Sequence, residues 1–304
     1  MQGYIKYTWF VLIFVFVVIL AGGLVRMTQS GMGCPDWPTC FGKWIPPTSA
    51  DQLPPDFEKY LRQQDIDHTF NVYHTWIEYL NRLAGALLGL FILIHVGYTL
   101  KLFWKTNKTV VAWSVGLLLL TGFQGWLGKK VVDHNLAVVK ITIHMLVALV
   151  IAAIPLIILH IVKPATARVN KVLLWLTNAA ILLVIAQIVI GTDVREQIDE
   201  ISKAYHYEHR EAWIAPLNNL FVVHKISAFA VTGLCIYLFF QLLAVPGMAK
   251  QAFLLLATLL GAMAMGLIMA YIQMPAFAQP SHLLLSSILI IVLLSIRLHL
   301  QPRL

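Results

Sequence analysis

Four ionisable residues in apolar surroundings could carry chemistry in this sequence, namely His144, His224, His282 and Glu78. Each lies at or within two turns of the start of a long apolar run, where such side chains are costly unless they have a role. A neutral imidazole nitrogen is a good iron ligand, and two imidazoles on facing helices form the usual bis-histidine haem site. The pattern therefore predicts haem ligation. The alternative is hydrogen-bonded histidines of a protein core.

Glu78 lies in the stretch WIEYLNRLAG, three residues before Asn81 and four after His74. If the second helix extends that far, His74, Glu78 and Asn81 share one helical face. A partly buried carboxyl group at such a place is suited to proton transfer. The alternatives are a salt bridge to Arg82 or an ordinary carboxylate at the membrane interface.

The apolar runs that position these residues are predicted to span a membrane. Of the 304 residues, 59% are hydrophobic and only 12% are charged, which is too apolar for a soluble domain of this length. Runs of about 20 apolar residues mark spanning helices. Eight occur, at 7–27, 78–104, 109–128, 137–162, 171–192, 219–244, 251–273 and 281–299. Because lipid cannot satisfy backbone groups, an all-α integral membrane protein is expected.

The first run is interpreted as a retained helix because it is long and lacks a small-x-small cleavage site. The charges then predict the orientation. All 14 acidic residues lie in or beside 28–78, 129–136 and 193–218. The other connections and both ends carry only basic residues: Lys6, Lys101, Lys105, Lys108, Lys163, Arg168, Lys171, Lys250, Arg297 and Arg303. The positive-inside rule makes this face and both termini cytoplasmic, in a bacterial-type plasma membrane, with the candidate site residues towards the outer face.

The net charge of +8 therefore reflects topology, and binding of nucleic acid is not expected. Histidines outside the pattern are given simpler interpretations. His95 and His160 are interpreted as interfacial residues at the cytoplasmic ends of the second and fourth runs, and His206 and His209 as solvated.

The chain shows weak internal similarity between residues 1–165 and 166–304. Gly128 and Gly266 each precede a histidine by 16 residues. Since four spans return a chain to its starting side, two tandem pseudo-symmetric four-helix bundles are predicted. Glu78 aligns with Phe221, so only the first half has the acid, which favours chemistry in one half and an electron-transfer haem in the other. The aligned pairs are Arg26 with Arg195, Asn81 with His224, Arg82 with Lys225 and His144 with His282.

Basic residues at the outer ends of the runs are candidate partners for haem propionates, because guanidinium suits a planar carboxylate. The alternative is ordinary snorkelling at the interface. These residues are Arg26, Arg82, Arg195 and Lys225.

Cys34 and Cys40 lie in GCPDWPTC, in the first outer segment. An outer compartment permits disulfides, so a bridge is predicted. The alternatives are two free thiols or a zinc site, although the segment lacks the CxxC pair of a typical zinc site. Cys235, inside the sixth run, is interpreted as a small core residue.

The sequence resembles the haem A synthase (CtaA) family over nearly its whole length. The resemblance rests on GGLVRMTQSGMGCPDWPTCFG, IEYLNRLAG and QGWLG, and on the histidines of ITIHMLVAL, VVHKISAFA and PSHLLLSS. It implies that His224 and His282 hold haem b in the C-terminal half. The N-terminal half is then expected to bind haem O from haem O synthase and to oxidise its C8 methyl group, giving haem A for cytochrome oxidase.

The resemblance also implies residue roles in the N-terminal half. Glu78 maps onto a glutamate needed for activity, His144 onto a histidine of the substrate half, and Cys34 and Cys40 onto the outer-loop cysteine pair. A second cysteine pair that some members carry is absent.

Asn81 departs from the family, which has a histidine at this position. An amide is a poor iron ligand, so the substrate iron is either five-coordinate on His144 or ligated by His74. The substrate haem site is accordingly assigned to His144, Asn81, His74, Arg26 and Arg82, with Glu78 as the catalytic residue, and the haem b site to His224, His282, Lys225 and Arg195.

Two rival functions are a bis-histidine cytochrome b that only relays electrons and a haem transporter or chaperone. The predicted enzyme also needs an electron acceptor, which the sequence does not specify. Assembly with further copies of the chain is compatible with the sequence.

Overall fold

The computed structural model describes residues 1–58, 60, 70–133, 138–163 and 170–301. Eight long helices occur in this part of the chain, each with a stretch long and apolar enough to cross a membrane. The predicted all-α membrane architecture is therefore confirmed. The helices are α1 (Gln2–Met27), α2 (Val72–Phe103), α3 (Lys108–Asp133), α4 (Val138–Val162), α5 (Lys171–Ala204), α6 (Asn219–Leu243), α7 (Ala249–Tyr271) and α8 (Ala278–Leu300).

Several helices are longer than their apolar runs, and for α2 a polar cap accounts for the extension. The side chain of Asn71 accepts hydrogen bonds from the backbone N–H groups of Tyr73 and His74, so α2 begins at Val72 rather than at 78. His74 therefore lies in the first turn of α2. The helix α5 continues through a polar stretch to Ala204, twelve residues past the predicted end at 192.

The chain divides into two compact units, Met1–Pro155 and Leu156–Leu304. The predicted boundary after residue 165 lies outside the described residues. In the first unit α2 packs against both α1 and α3. In the second unit α5, α6, α7 and α8 pack in order and α8 returns to α5, which closes a four-helix ring. The tandem relation of the two halves stays a prediction.

A buried polar cluster joins α1, α2 and α3 in the first unit. His95 is fully buried, with Nε2 3.0 Å from Thr8 Oγ1 and Nδ1 2.9 Å from Ser114 Oγ. The Thr8 hydroxyl donates to the carbonyl of Tyr4, so it accepts from His95 and the proton of the imidazole is on Nε2. The predicted interfacial position of His95 is wrong, because hydroxyl groups of neighbouring helices satisfy both ring nitrogens inside the bundle.

Candidate functional site

Each of the three histidines that were predicted to bind iron lies against a glycine of the preceding helix. A Cβ atom added to any of these glycines would be closer to the imidazole than ordinary van der Waals contact allows. The absence of a side chain therefore lets each ring lie directly on the neighbouring backbone. The distances from such a Cβ to Cε1 are 3.3 Å for Gly128 and His144, 3.1 Å for Gly191 and His224, and 3.3 Å for Gly266 and His282.

His282 shows how one of these rings is held for ligation. Its Nδ1 lies 2.8 Å from the carbonyl oxygen of Ala262, so this nitrogen carries the proton and donates. Nε2 then keeps its lone pair, as an iron ligand requires. Among the described residues, Nδ1 of His144 and Nδ1 of His224 are buried without a hydrogen-bond partner. The structure therefore fixes the tautomer that leaves Nε2 free for a metal in His282 alone, and His144 and His224 have no comparable hydrogen bond in the described chain.

The described part of the chain contains no group of three or more His, Cys, Asp or Glu side chains that could hold a bare metal ion. A haem iron needs only one or two ligands from the protein, because the macrocycle supplies the other four. Single imidazoles set against helix backbones fit that requirement.

Two glutamines that the sequence did not single out brace the helices that carry His144 and His224. Gln124 Nε2 donates to the carbonyl of His144 at 2.8 Å, and Gln187 Nε2 donates to the carbonyl of His224 at 2.7 Å. Each glutamine stands four residues before the glycine that contacts the same histidine. The repeated Gln-x-x-x-Gly spacing was the available signal, and it occurs one helix before each of these histidines.

The fourth position of the pattern lacks an imidazole. The register that aligns Arg26 with Arg195 places Gly22 opposite Gly191, but a Cβ on Gly22 would meet nothing within 4 Å. Asn81, the residue aligned with His224, has a buried Oδ1 without a partner in the described part of the chain. Three of the four glycine positions thus support an imidazole, and the fourth does not.

Glu78 links α2 to the connection between α1 and α2. Its side chain is nearly inaccessible, with the residue only 3% exposed. Oε1 accepts from Arg82 Nη2 at 2.5 Å and Nε at 3.1 Å, and Oε2 accepts from the backbone N–H of Cys34 at 2.8 Å. The salt bridge to Arg82, one of the alternatives for this carboxyl group, is therefore present.

Arg82 uses its remaining donors on the same connection. Nη1 donates to the carbonyls of Asp36 and Thr39, at 2.5 Å and 3.2 Å, and Nη2 donates to the carbonyl of Cys34 at 2.7 Å. With the two bonds to Glu78, all five guanidinium N–H groups have partners. A haem propionate would have to displace one of these bonds to reach Arg82.

The predicted Cys34–Cys40 disulfide is confirmed. Inside the segment that it closes, the carboxylate of Asp36 accepts from the backbone N–H groups of Phe41 and Gly42, at 2.5 Å and 3.0 Å. The zinc and free-thiol alternatives are thereby excluded. Cys235 is buried and free, in agreement with its interpretation as a core residue.

His74 is held close to the same connection through its backbone. A Cβ on Gly33 would lie only 2.4 Å from the backbone C and O atoms of His74, so only glycine fits here. In addition, the Thr75 hydroxyl donates to the carbonyl of Gly33 at 2.9 Å. The first turn of α2 is therefore fastened to the cysteine segment.

The other predicted cationic residues lie in α1, α5 and α6. Arg195 donates from Nη1 to Gln279 Oε1 at 2.6 Å and forms an ion pair with Asp199 at 2.7 Å. Gln279 precedes His282 by three residues, so Arg195 fastens α5 to the first turn of the helix that carries this histidine. Lys225 Nζ lies 4.6 Å from the ring centroid of Phe221. Arg26 is half-buried in the last turn of α1.

The chain is similar to known proteins along much of its length. Among curated relatives, a "Heme A synthase" of Shewanella oneidensis is 31% identical over 135 residues, which are 44% of this chain and 38% of that protein. One of Beijerinckia indica is 28% identical over 156 residues, covering 46% and 42%. One of Flavobacterium psychrophilum is 24% identical over 263 residues, covering 75% and 76%.

The chain thus spans about two fifths of the length of the first of these relatives and about three quarters of the last. A family model, COX15-CtaA, described as cytochrome oxidase assembly protein, matches residues 5–294. Because that match covers nearly the whole sequence, the chain belongs to the COX15-CtaA family of cytochrome oxidase assembly proteins.

Proposed function

We propose that this protein is a haem A synthase, an oxidoreductase that converts the C8 methyl group of haem O to a formyl group and so makes haem A for cytochrome oxidase. The observation that carries the proposal is the set of imidazoles that lie against helix glycines. It is supported by membership of the family and by the name that its relatives share.

In the C-terminal half, residues 166–304, His224 and His282 are the ligands of a resident haem b. When bound, this haem supplies one-electron redox chemistry. The chain's own contribution is to fix the two ligands: Gln187 braces the helix of His224, and the carbonyl of Ala262 sets the tautomer of His282. Arg195 and Lys225 are the cationic partners proposed for the propionates.

In the N-terminal half, residues 1–165, His144 is the protein ligand of the substrate iron. Asn81 leaves the opposite face of the iron without an imidazole, which fits the open space at Gly22. His74 is the competing ligand, since it lies in the first turn of α2 on the same face as Glu78. Arg26 and Arg82 are the proposed partners of the substrate propionates.

The proposed reaction fixes the number of electrons and protons that must leave the site. With water as the oxygen source, a methyl group and one water give a formyl group, four electrons and four protons. The electrons must go to an oxidant that is external to the chain, and a haem b held by His224 and His282 would supply one-electron redox chemistry for this. Glu78 is the proposed acceptor of protons at the substrate edge, and Arg82 is its counter-charge.

The proposed topology follows the charges in the sequence. Both termini are cytoplasmic and the haem sites lie towards the outer face of a bacterial-type membrane. The two halves derive from one duplicated four-helix unit, which is supported by the matching glycine–histidine contacts of α3 with α4 and of α7 with α8.

Co-expression with a haem O synthase, in a host that makes no haem A, tests the proposal. Haem is extracted and its mass is measured. The wild-type chain is expected to yield a haem that has gained one oxygen and lost two hydrogens relative to haem O. Recovery of haem b with unchanged free haem O would support the rival cytochrome b, and recovery of bound but unchanged haem O would support a transporter or chaperone.

A further inference from the structure

The two glutamines that brace the histidine helices differ in what their side-chain oxygens contact. Gln187 Oε1 accepts a hydrogen bond of 2.5 Å from the hydroxyl of Ser227, three residues after His224. Gln124 Oε1 is buried and has no hydrogen-bond partner among the described residues. Three residues after His144, where a serine would do the same for Gln124, the chain has Val147.

The unpartnered atom of Gln124 is the oxygen and not the nitrogen. The amide nitrogen donates to the carbonyl of His144 at 2.8 Å, and exchanging the two atoms would place two acceptors against each other. Nδ1 of His144 does not supply the missing donor, since it has no hydrogen-bond partner in the described chain either. A buried acceptor without a donor is destabilising, so a donor from outside the chain would relieve this cost.

Gln124 lies beside the proposed ligand of the substrate iron. It stands one helical turn from Gly128, against which the ring of His144 lies, and its amide touches the backbone of His144 itself. A group that satisfies Gln124 Oε1 would therefore be carried by a molecule bound at His144.

We propose that Gln124 is a substrate-positioning residue, whose Oε1 accepts a hydrogen bond from the side-chain hydroxyl group that haem O has and haem b lacks. The inference rests on the proposed function. Haem O carries a hydroxyalkyl chain where haem b carries a vinyl group. In the half assigned to haem b, the protein supplies the hydroxyl through Ser227. In the half assigned to haem O, Val147 has no hydroxyl group, so the hydroxyl group of the substrate can occupy the position equivalent to that of the Ser227 hydroxyl.

The test is an optical titration of the purified full-length protein, with its haem b in place. Haem O is added in one series and iron protoporphyrin IX in another, and the ratio of the two dissociation constants is the readout. Val147→Ser adds a hydroxyl group three residues after His144, the position from which Ser227 donates to Gln187 in the other half. Gln124→Met removes the acceptor. Each is expected to lower the preference for haem O about 5-fold, the worth of one hydrogen bond.

The double variant is expected to lower the ratio no further, because both changes remove the same bond. Gln251→Met is the control: it removes another buried amide whose oxygen has no partner in the described chain, fifteen residues before Gly266 in α7, and is expected to leave the ratio unchanged. The low-spin haem b spectrum reports folding in every variant. A changed affinity for both haems with an unchanged ratio would mean that Gln124 only braces the helix, and it would overturn the inference.

The failure of the inference is distinguishable from that of the proposed function. If the wild type converts haem O to haem A while Val147→Ser and Gln124→Met keep the wild-type ratio, only the role of Gln124 is wrong. If the wild type neither binds nor converts haem O, both proposals are overturned.

Discussion

Replacing Gly266 by alanine should loosen the proposed haem b site, and the structure indicates why. The new Cβ would lie 3.3 Å from Cε1 of His282, which is closer than ordinary contact. The ring cannot retreat freely, because its Nδ1 is held at 2.8 Å by the carbonyl of Ala262. Either the imidazole tilts away from the iron or this hydrogen bond lengthens.

Two opposing terms set the size of the effect. Alanine is favoured over glycine inside a helix by about 1 kcal/mol. Overpacking a tight contact costs about 1–3 kcal/mol, a factor of roughly 5 to 150 in an equilibrium constant. In Gly266→Ala the second term acts on the ligand itself, so haem b retention should fall even where the helix gains stability. In Gly22→Ala only the first term applies, because nothing lies within 4 Å of the new Cβ.

The assay compares haem b content and the low-spin absorption spectrum of purified Gly266→Ala, Gly191→Ala and Gly22→Ala. Gly191→Ala brings a Cβ to 3.1 Å from His224, whose Nδ1 has no partner in the described chain, so this ring can tilt more easily. Haem b should be lost most from Gly266→Ala, less from Gly191→Ala and not at all from Gly22→Ala. Equal haem content in all three would refute the reasoning that glycine seats the imidazoles.

Three further predictions concern the N-terminal half. Glu78→Gln should abolish haem A formation, although its amide oxygen can still accept from the Cys34 N–H. Glu78→Ala should in addition destabilise the protein by about 3–5 kcal/mol, because it leaves the buried guanidinium of Arg82 without its ion-pair partner. Formation of haem A by Glu78→Gln would contradict a role of Glu78 in proton transfer. Replacing Cys34 and Cys40 by serine should cost about 2 kcal/mol in thermal unfolding, and a thiol reagent should label neither cysteine in unreduced wild type. Asn81→His should convert the substrate iron from high-spin to low-spin by adding a second imidazole. A low-spin wild type that becomes high-spin in His74→Ala would instead identify His74 as the ligand.

The sequence predicts the number and type of the helices, because about 20 apolar residues in a row have few other structures open to them. It does not predict where the helices end. Hydropathy reports contact with lipid, whereas the start of α2 depends on the side chain of Asn71 and the end of α5 lies in a polar stretch. The prediction for His95 is wrong for a related reason. Its position near one end of an apolar run is correct, but hydroxyls of two other helices bury and satisfy it.

Residue type and spacing single out the three histidines and align Gly128 with Gly266, but they do not predict that either glycine contacts a histidine. They are not enough to find the partners of Glu78. The N–H group of Cys34 is 44 residues away in the chain, and backbone donors leave no mark in a sequence. The contacts of Gln124 and Gln187 could be predicted only in part. Their spacing is visible, but an amide inside an apolar helix has many possible partners, and only packing shows that it meets a histidine carbonyl.

The two proposed haem sites differ in how fully the chain satisfies its own polar atoms. In the C-terminal half Gln187 and His282 find partners within the protein, and His224 Nδ1 is the exception around that site. In the N-terminal half Asn81 Oδ1 and Gln124 Oε1 stay unpartnered within the described chain. Polar groups that are satisfied internally rigidify a site, which suits a cofactor that stays. Groups that gain partners only from a ligand favour the bound state, which suits a substrate that must be recognised, converted and released.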